Sequence, residues 1–151
     1  HEVARAYYHW TFLAQPAPLP ETLIGIDPDG FFDGVHQGLG NSTTDFDRAA
    51  LEAYRTHWRD PDTIRGMCHD YRAAIDVDLA LDRADAHRRL DLPALVLYGA
   101  DGIMARYFDV PATWAPHLPN MRSGTVQGGH FFPDTHPDAT AQALLAFLAQ
   151  T

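Results

Sequence analysis

The chain has 151 residues, 46% of them hydrophobic, and a formal net charge of −9 at pH 7. This length allows one compact domain with a buried core. The acidic balance argues against nucleic acid as a partner, and no apolar run approaches the roughly 20 residues that span a bilayer. The single cysteine, Cys68, excludes an internal disulfide, so we expect a cytoplasmic protein in which this thiol is a buried apolar group.

From about residue 4 to residue 92 the pattern predicts helices separated by turns. The first helix carries the pair His9-Trp10 and stops at Pro16 and Pro18. A short helical turn at 21–26, a helix that opens at Asp27-Pro28 and a polar loop at 38–45 follow. Two further helices are predicted to begin at the capping residues Asp47 and Asp60. Apolar residues that these helices carry at helical spacing are Phe31, Phe32, Val35, Leu39, Leu51, Tyr54, Trp58, Ile64, Met67, Cys68 and Tyr71.

After Leu92 the signature changes to that of a parallel sheet. Residues 93–98 form a continuous apolar run, which is typical of a strand buried on both faces. A turn at 99–102, a helical stretch, a short strand signal at 125–127, the sequence Gly128-Gly129-His130 and an amphipathic helix at 138–150 follow. This order is typical of the last part of a doubly wound α/β sheet.

The two regions suggest a boundary near residue 91. We expect residues 1–91 to form a helical region and residues 92–151 to form the C-terminal part of an α/β core. Two strands do not make a stable parallel sheet on their own. Since the chain also begins with His1 rather than Met, we expect it to be the C-terminal part of a larger protein.

His130 is the residue of the second region that most directly suggests a catalytic role. A histidine that follows a strand and a glycine loop is where α/β-hydrolases place their general base, and Phe131 and Phe132 would help keep it neutral. A histidine in a surface loop is the alternative. Asp101 follows the predicted strand, where it is either a catalytic acid or a turn residue.

The candidate binding residues of the first region are His9, Trp10 and Tyr71. Their side chains offer N–H and O–H donors in an apolar setting, which suits a small anion or a departing halide. The alternative is an aromatic core with satisfied polar tips. The other histidines lack zinc-like spacing, which indicates no metal site.

Four segments together resemble haloacetate dehalogenases, and fluoroacetate dehalogenases in particular. They run in order over essentially the whole chain: YYHWTFLAQPAPLPETLIGIDPDGFF, WRDPDTIRGMCHDYRAAIDVDL, LPALVLYGADG and WAPHLPNMRSGTVQGGHFFPD. The His-Trp pair with its proline turn and the DYRA segment are the specific features, whereas GGHFF fits many α/β-hydrolases.

The resemblance implies an α/β-hydrolase fold with a helical cap, a homodimer and no cofactor or metal. It implies that an aspartate displaces halide from a haloacid such as fluoroacetate and forms an ester, while two arginines hold the substrate carboxylate. A histidine, oriented by a second aspartate, then activates water. Carried over by motif, this base is His130, and the halide pocket consists of His9, Trp10 and Tyr71.

The nucleophile, the arginines and the orienting aspartate of this family all lie upstream of the residues present here. The resemblance therefore makes Asp101 a turn residue. Leu39 stands in a loop where an aromatic pocket residue is expected. Two other hypotheses stay open: an epoxide hydrolase, in which a cap tyrosine protonates the epoxide, and a non-catalytic fragment, which is what this chain would be without its N-terminal half.

Overall fold

The computed structural model describes residues 1–150, which divide into two units. The helical unit comprises residues 1–38 and 42–85, and the strand unit comprises residues 39–41 and 86–150. The assignment of residues 1–91 to a cap and of residues 92–151 to a hydrolase core stays a prediction about domains.

The helical unit contains seven α-helices, a single 3₁₀ turn at Thr43–Asp45 and a π-helical turn at Ala74–Asp78 within its described residues. The α-helices are α1 (Glu2–Ala6), α2 (Tyr8–Leu13), α3 (Leu19–Ile26), α4 (Pro28–Gly38), α5 (Arg48–Trp58), α6 (Pro61–Ala73) and α7 (Leu79–Asp85).

Local sequence signals set several of these boundaries as predicted. Helix α2 ends at Leu13, before Pro16. One oxygen of Asp47 accepts hydrogen bonds from the backbone N–H groups of Ala49 and Ala50, both at 2.9 Å. Asp60 caps α6 in the same way through the N–H of Asp62 at 3.0 Å. These carboxylates satisfy N–H groups that have no partner within the helix.

The core of the helical unit lies where α6 packs against α2 and α3. Leu13, Ile24, Ile64 and Cys68 form one buried cluster, and Tyr71 is among the partly buried side chains packed against it. The buried thiol of Cys68 confirms the expectation of a packing role. Burial also raises the pKa of this thiol, which disfavours the reactive thiolate.

The strand unit contains two parallel strands, β1 (Ala94–Gly99) and β2 (Met121–Val126). Their register pairs Ala94 with Met121 and Gly99 with Val126. The connection carries the short helices α8 (Ile103–Tyr107) and α9 (Val110–Trp114), and α10 (Phe132–Thr135) and α11 (Pro137–Leu148) follow β2. The predicted order of strand, helix, strand, glycine loop and terminal helix is confirmed.

Several details differ from the sequence expectations. Strand β2 starts at Met121, well before the predicted residue 125, because pairing with β1 rather than its own apolar content defines it. Residues 94–98 of β1 are only partly buried, since the described sheet has two strands. The predicted apolar face of α11 is exposed at Leu144, Leu145 and Leu148.

Leu39 was expected on the helix that opens at Asp27-Pro28, but this helix, α4, ends at Gly38. Leu39 is buried in the turn that follows and belongs to the strand unit. Within residues 1–150, no helix combines the length and the hydropathy needed to cross a membrane.

We predict that Asp47→Ala lowers the free energy of unfolding by about 1 kcal/mol, because α5 loses the acceptor for two N–H groups. Asp47→Asn is the matched control, since its amide oxygen can still accept both bonds. Chemical denaturation of the three proteins measures the difference. Equal stability of the alanine and aspartate forms would contradict this role of the cap.

Candidate active site

His9 and Trp10 lie side by side on α2 but differ in burial. His9 is 4% exposed, whereas Trp10 is 50% exposed. Successive helical residues point about 100° apart, so one ring faces the core of the helical unit while the other lies at its surface. Both side chains can therefore contact one ligand only if it binds at the boundary between the buried and the exposed ring.

Tyr71 brings the two rings into one cluster. Its ring centroid lies 5.9 Å from that of His9 and 6.0 Å from that of Trp10, with interplanar angles of 80° and 79°. Edge-to-face packing of this kind is the favoured geometry for aromatic pairs. The structure therefore brings together the three candidate residues of the first region, although Tyr71 lies about sixty positions after His9 and Trp10 in the sequence.

Arg72, the residue after Tyr71, fixes α6 against its neighbours in the helical unit. Its Nη2 lies 2.7 Å from Oε1 of Glu21 on α3, and its Nε donates to the carbonyl of Gln15 at 2.8 Å. Burial of Glu21 acts to raise the pKa of its carboxyl, but its own backbone N–H and Arg72 lower it overall. The ion pair thus holds the end of α6 against α3, and the bond to Gln15 holds it next to the loop that follows α2.

The polar groups of this cluster can donate hydrogen bonds. The phenol of Tyr71 is protonated at neutral pH and can donate a hydrogen bond, and burial raises its pKa further above neutral. The indole of Trp10 can only donate. These groups, with the imidazole of His9, suit a small anion better than a cation.

Tyr7 is a further aromatic member that sequence reasoning missed. Its ring lies 5.8 Å from that of His9 and 6.2 Å from that of Trp10, and it is nearly perpendicular to the indole. Tyr7 occupies the joint between α1 and α2. Its position three residues before Trp10 is the signal that could have found it, because residues three apart share a helical surface.

His130 belongs to the strand unit and follows β2 in a loop built on glycines. Gly128 has a φ of 113°, a left-handed conformation that side chains with a Cβ disfavour. A Cβ on Gly99 would lie 2.6 Å from the carbonyl oxygen of Gly128, and closer still to that of Gly129. The turn after β1 and the loop after β2 therefore touch backbone to backbone, which only glycine at position 99 permits.

The imidazole of His130 is partly desolvated. His130 is exposed as a whole, but protein atoms shield part of its ring, and this desolvation lowers its pKa. The ring packs edge-to-face on Phe131, with centroids 5.0 Å apart. The neutral form, which can accept a proton, is therefore favoured around neutral pH.

Asp101 and Asn41 contact the His130 loop within the strand unit. Asp101 lies in a turn, as the resemblance implied, and its carboxylate accepts a hydrogen bond from the N–H of Gly128 at 3.2 Å. Oδ1 of Asn41 accepts from the N–H of Phe131 at 3.3 Å. Asn41 was missed because its contact spans 90 residues.

Among residues 1–150, no group of three or more His, Cys, Asp or Glu is arranged to hold a metal ion.

Comparison with known proteins agrees with the motif resemblance. No protein-family model matches the chain. It is 51% identical over 148 residues to a fluoroacetate dehalogenase from Burkholderia sp, and the match covers 97% of this chain and 49% of that protein. The chain thus spans about half the length of that curated relative.

Two solved structures are similar in fold and sequence. A protein from Nostoc sp PCC 7120 assigned to the α/β hydrolases matches with a TM-score of 0.94 and 39% identity, over 100% of this chain and 52% of the other. A Pseudomonas aeruginosa protein assigned as an epoxide hydrolase matches with a TM-score of 0.87 and 38% identity, over 98% of this chain and 50% of the other. The chain therefore has part of the α/β-hydrolase fold and resembles the C-terminal half of fluoroacetate dehalogenase.

Proposed function

We propose that this chain supplies the halide-binding cluster and the hydrolytic base of a haloacetate dehalogenase whose substrate is fluoroacetate. The observation that carries the proposal is the packing of Tyr71 against both His9 and Trp10. The 51% identity to a fluoroacetate dehalogenase supports it. The proposal also includes a homodimer in the cytoplasm that needs no cofactor.

In the proposed reaction an aspartate outside this chain attacks the carbon that bears the halogen. The carbon–halogen bond breaks, the halide leaves with the bonding electrons, and an aspartyl ester forms. His9, Trp10 and Tyr71 donate hydrogen bonds to the halide as its charge develops. This interaction strengthens toward the transition state, which is the requirement for it to increase the rate.

His130 acts in the second half of the reaction. Its neutral imidazole takes a proton from water while the water oxygen attacks the ester carbonyl. When the bond between the ester carbonyl carbon and the substrate oxygen breaks, the imidazolium gives that proton to the departing oxygen, which releases the 2-hydroxyacid, and the aspartate loses the second water proton to solvent. For fluoroacetate the product is glycolate. Because the proposal places the nucleophile upstream, the chain alone should not turn over.

An epoxide hydrolase is the second candidate. The similarity to the Pseudomonas aeruginosa protein favours it, and the protonated phenol of Tyr71 could donate to an epoxide oxygen. Halide release from fluoroacetate and chloroacetate, measured beside diol formation from an epoxide such as styrene oxide, separates the two candidates. Diol formation without halide release would reject the dehalogenase proposal.

We predict that His130→Ala, made in the enzyme that contains the upstream half, stops after one turnover. Attack on carbon needs no base, so about one equivalent of fluoride is released and the ester accumulates. A fluoride electrode and intact-protein mass spectrometry measure both. His87→Ala, which removes an exposed histidine, is the control and should turn over many times. Steady turnover by His130→Ala would reject the role of His130.

We predict that Tyr71→Phe slows carbon–fluorine cleavage more than carbon–chlorine cleavage. Fluoride is the smaller and more strongly hydrogen-bonded anion, so loss of one donor should reduce its release by roughly 10²-fold, with a smaller effect on chloride. Single-turnover halide release from fluoroacetate and chloroacetate gives the ratio. Tyr107→Phe removes the hydroxyl of an exposed tyrosine and is the control. Equal losses for both halides would argue against halide binding by Tyr71.

We predict that His130 in this chain, without the upstream half, titrates below the usual histidine value of about 6.5, because desolvation lowers its pKa. The ring signals of His130, followed by NMR as the pH decreases, give the midpoint. His130→Ala, which lacks the ring, identifies these signals. A midpoint above the usual value would contradict this effect of desolvation.

A further inference from the structure

The loop that carries His130 is held by side chains on both of its sides. On one side, Oδ2 of Asp101 accepts hydrogen bonds from the side-chain amide of Gln127 and from the N–H of Gly128. The backbone N–H of Asp101 returns a bond to the carbonyl of Gly128 at 3.0 Å. Asp101 is thereby joined to the two residues that lead into Gly129 and His130.

On the other side of His130, Asn41 holds the residue that follows it. Asn41 is 6% exposed, and its Oδ1 accepts the N–H of Phe131 at 3.3 Å. The same oxygen would lie 2.8 Å from a Cβ on Gly129, and the carbonyl of Leu39 would lie at 3.2 Å. The segment 39–41 therefore packs directly against the backbone just before the histidine.

The glycines of this loop make these contacts necessary. Gly128 and Gly129 have no side chains to anchor them, and glycine has more conformational freedom than any other residue. A base on such a loop keeps its position only if other groups fix the backbone. Asp101 fixes it at Gly128 and Asn41 fixes it at Phe131, so the histidine lies between two anchored peptide groups.

We propose that Asp101 and Asn41 are positioning residues for His130, which act by fixing the backbone on either side of it. The proposal rests on the proposed role of His130 as the base of ester hydrolysis. It assigns Asp101 the function of a hydrogen-bond acceptor rather than that of a charged partner of the imidazole. Because both donors from 127–128 reach the same oxygen of Asp101, the amide oxygen of an asparagine can replace it.

The test uses the enzyme that contains the upstream half, with Asp101→Ala and Asp101→Asn side by side. A misplacement of a catalytic group by about 1 Å costs on the order of 10²-fold in rate. We expect Asp101→Ala to slow ester hydrolysis roughly ten- to a hundredfold and to leave the first equivalent of halide release at its normal rate. Asp101→Asn should restore most of the lost rate. Asn41→Ala should show the same selective loss as Asp101→Ala.

Matched controls remove the same side chains elsewhere in the strand unit. Asp109→Ala removes a carboxylate that accepts the N–H of Ala112 at 3.0 Å, and Asn120→Ala removes an amide that donates to the carbonyl of Asp91 at 2.7 Å. Neither control should separate the two steps of the reaction. If Asp101→Ala does not fold, Gln127→Ala removes one of the two donors to Asp101 and should give a smaller, equally selective loss.

Two outcomes would overturn the proposal. Equal slowing of halide release and ester hydrolysis would mean that Asp101 and Asn41 only stabilise the fold. A loss in Asp101→Asn as large as in Asp101→Ala would mean that the charge of Asp101 is what matters.

The positioning role can be tested even if the proposed function fails. If the wild-type enzyme releases no halide, the NMR signal of the His130 ring still reports its environment. Under the proposal this signal moves in Asp101→Ala and Asn41→Ala and returns toward its normal position in Asp101→Asn. An unchanged signal in both alanine variants would reject the positioning role independently of the reaction.

Discussion

Burial of one face of helix α6 is the constraint on which the helical unit depends. Ile64 and Cys68 are buried against Leu13 and Ile24, and a fully buried side chain of this size contributes about 1.5–3 kcal/mol. Tyr71 lies one helical turn after Cys68, so the same packing carries its ring to α2. The Arg72–Glu21 ion pair orients α6 relative to α3 but adds little stability, because desolvation offsets much of the attraction in a largely buried ion pair.

The strand unit depends on a different constraint, the close approach of two backbone segments. Gly99 ends β1 against the carbonyl groups of Gly128 and Gly129, where any Cβ would collide. This contact allows the turn after β1 and the loop after β2 to meet at the carboxyl end of the strands. In open α/β sheets ligands bind outside these strand ends, and His130 is presented there.

Desolvation shifts the pKa of a candidate residue in each unit, Tyr71 in the helical unit and His130 in the strand unit. Loss of water contact disfavours the charged form of any titratable group. For Tyr71 this raises the pKa and keeps a hydrogen-bond donor, whereas for His130 it lowers the pKa and keeps a proton acceptor. Desolvation therefore favours the neutral form of both the phenol and the imidazole.

The sequence by itself determined the features that depend on neighbouring residues. The caps Asp47 and Asp60, the position of strand β1 and the glycine loop before His130 were predicted correctly, because helix capping, strand propensity and turn geometry act over a few positions. The burial of β1 on both faces was not, because it depends on neighbouring elements. The candidate residues His9, Trp10, Tyr71 and His130 were found through motifs, yet their functional roles stay predictions.

Only the tertiary structure decided the features that depend on distant partners. The polar strand β2 exists because β1 offers a hydrogen-bonding edge, and the sequence from Arg122 to Thr125 carries no apolar pattern that reveals it. The contact of Asn41 with Phe131 spans 90 residues. This hydrogen bond forms only when the chain has folded, so the sequence around Asn41 or Phe131 does not indicate the contact.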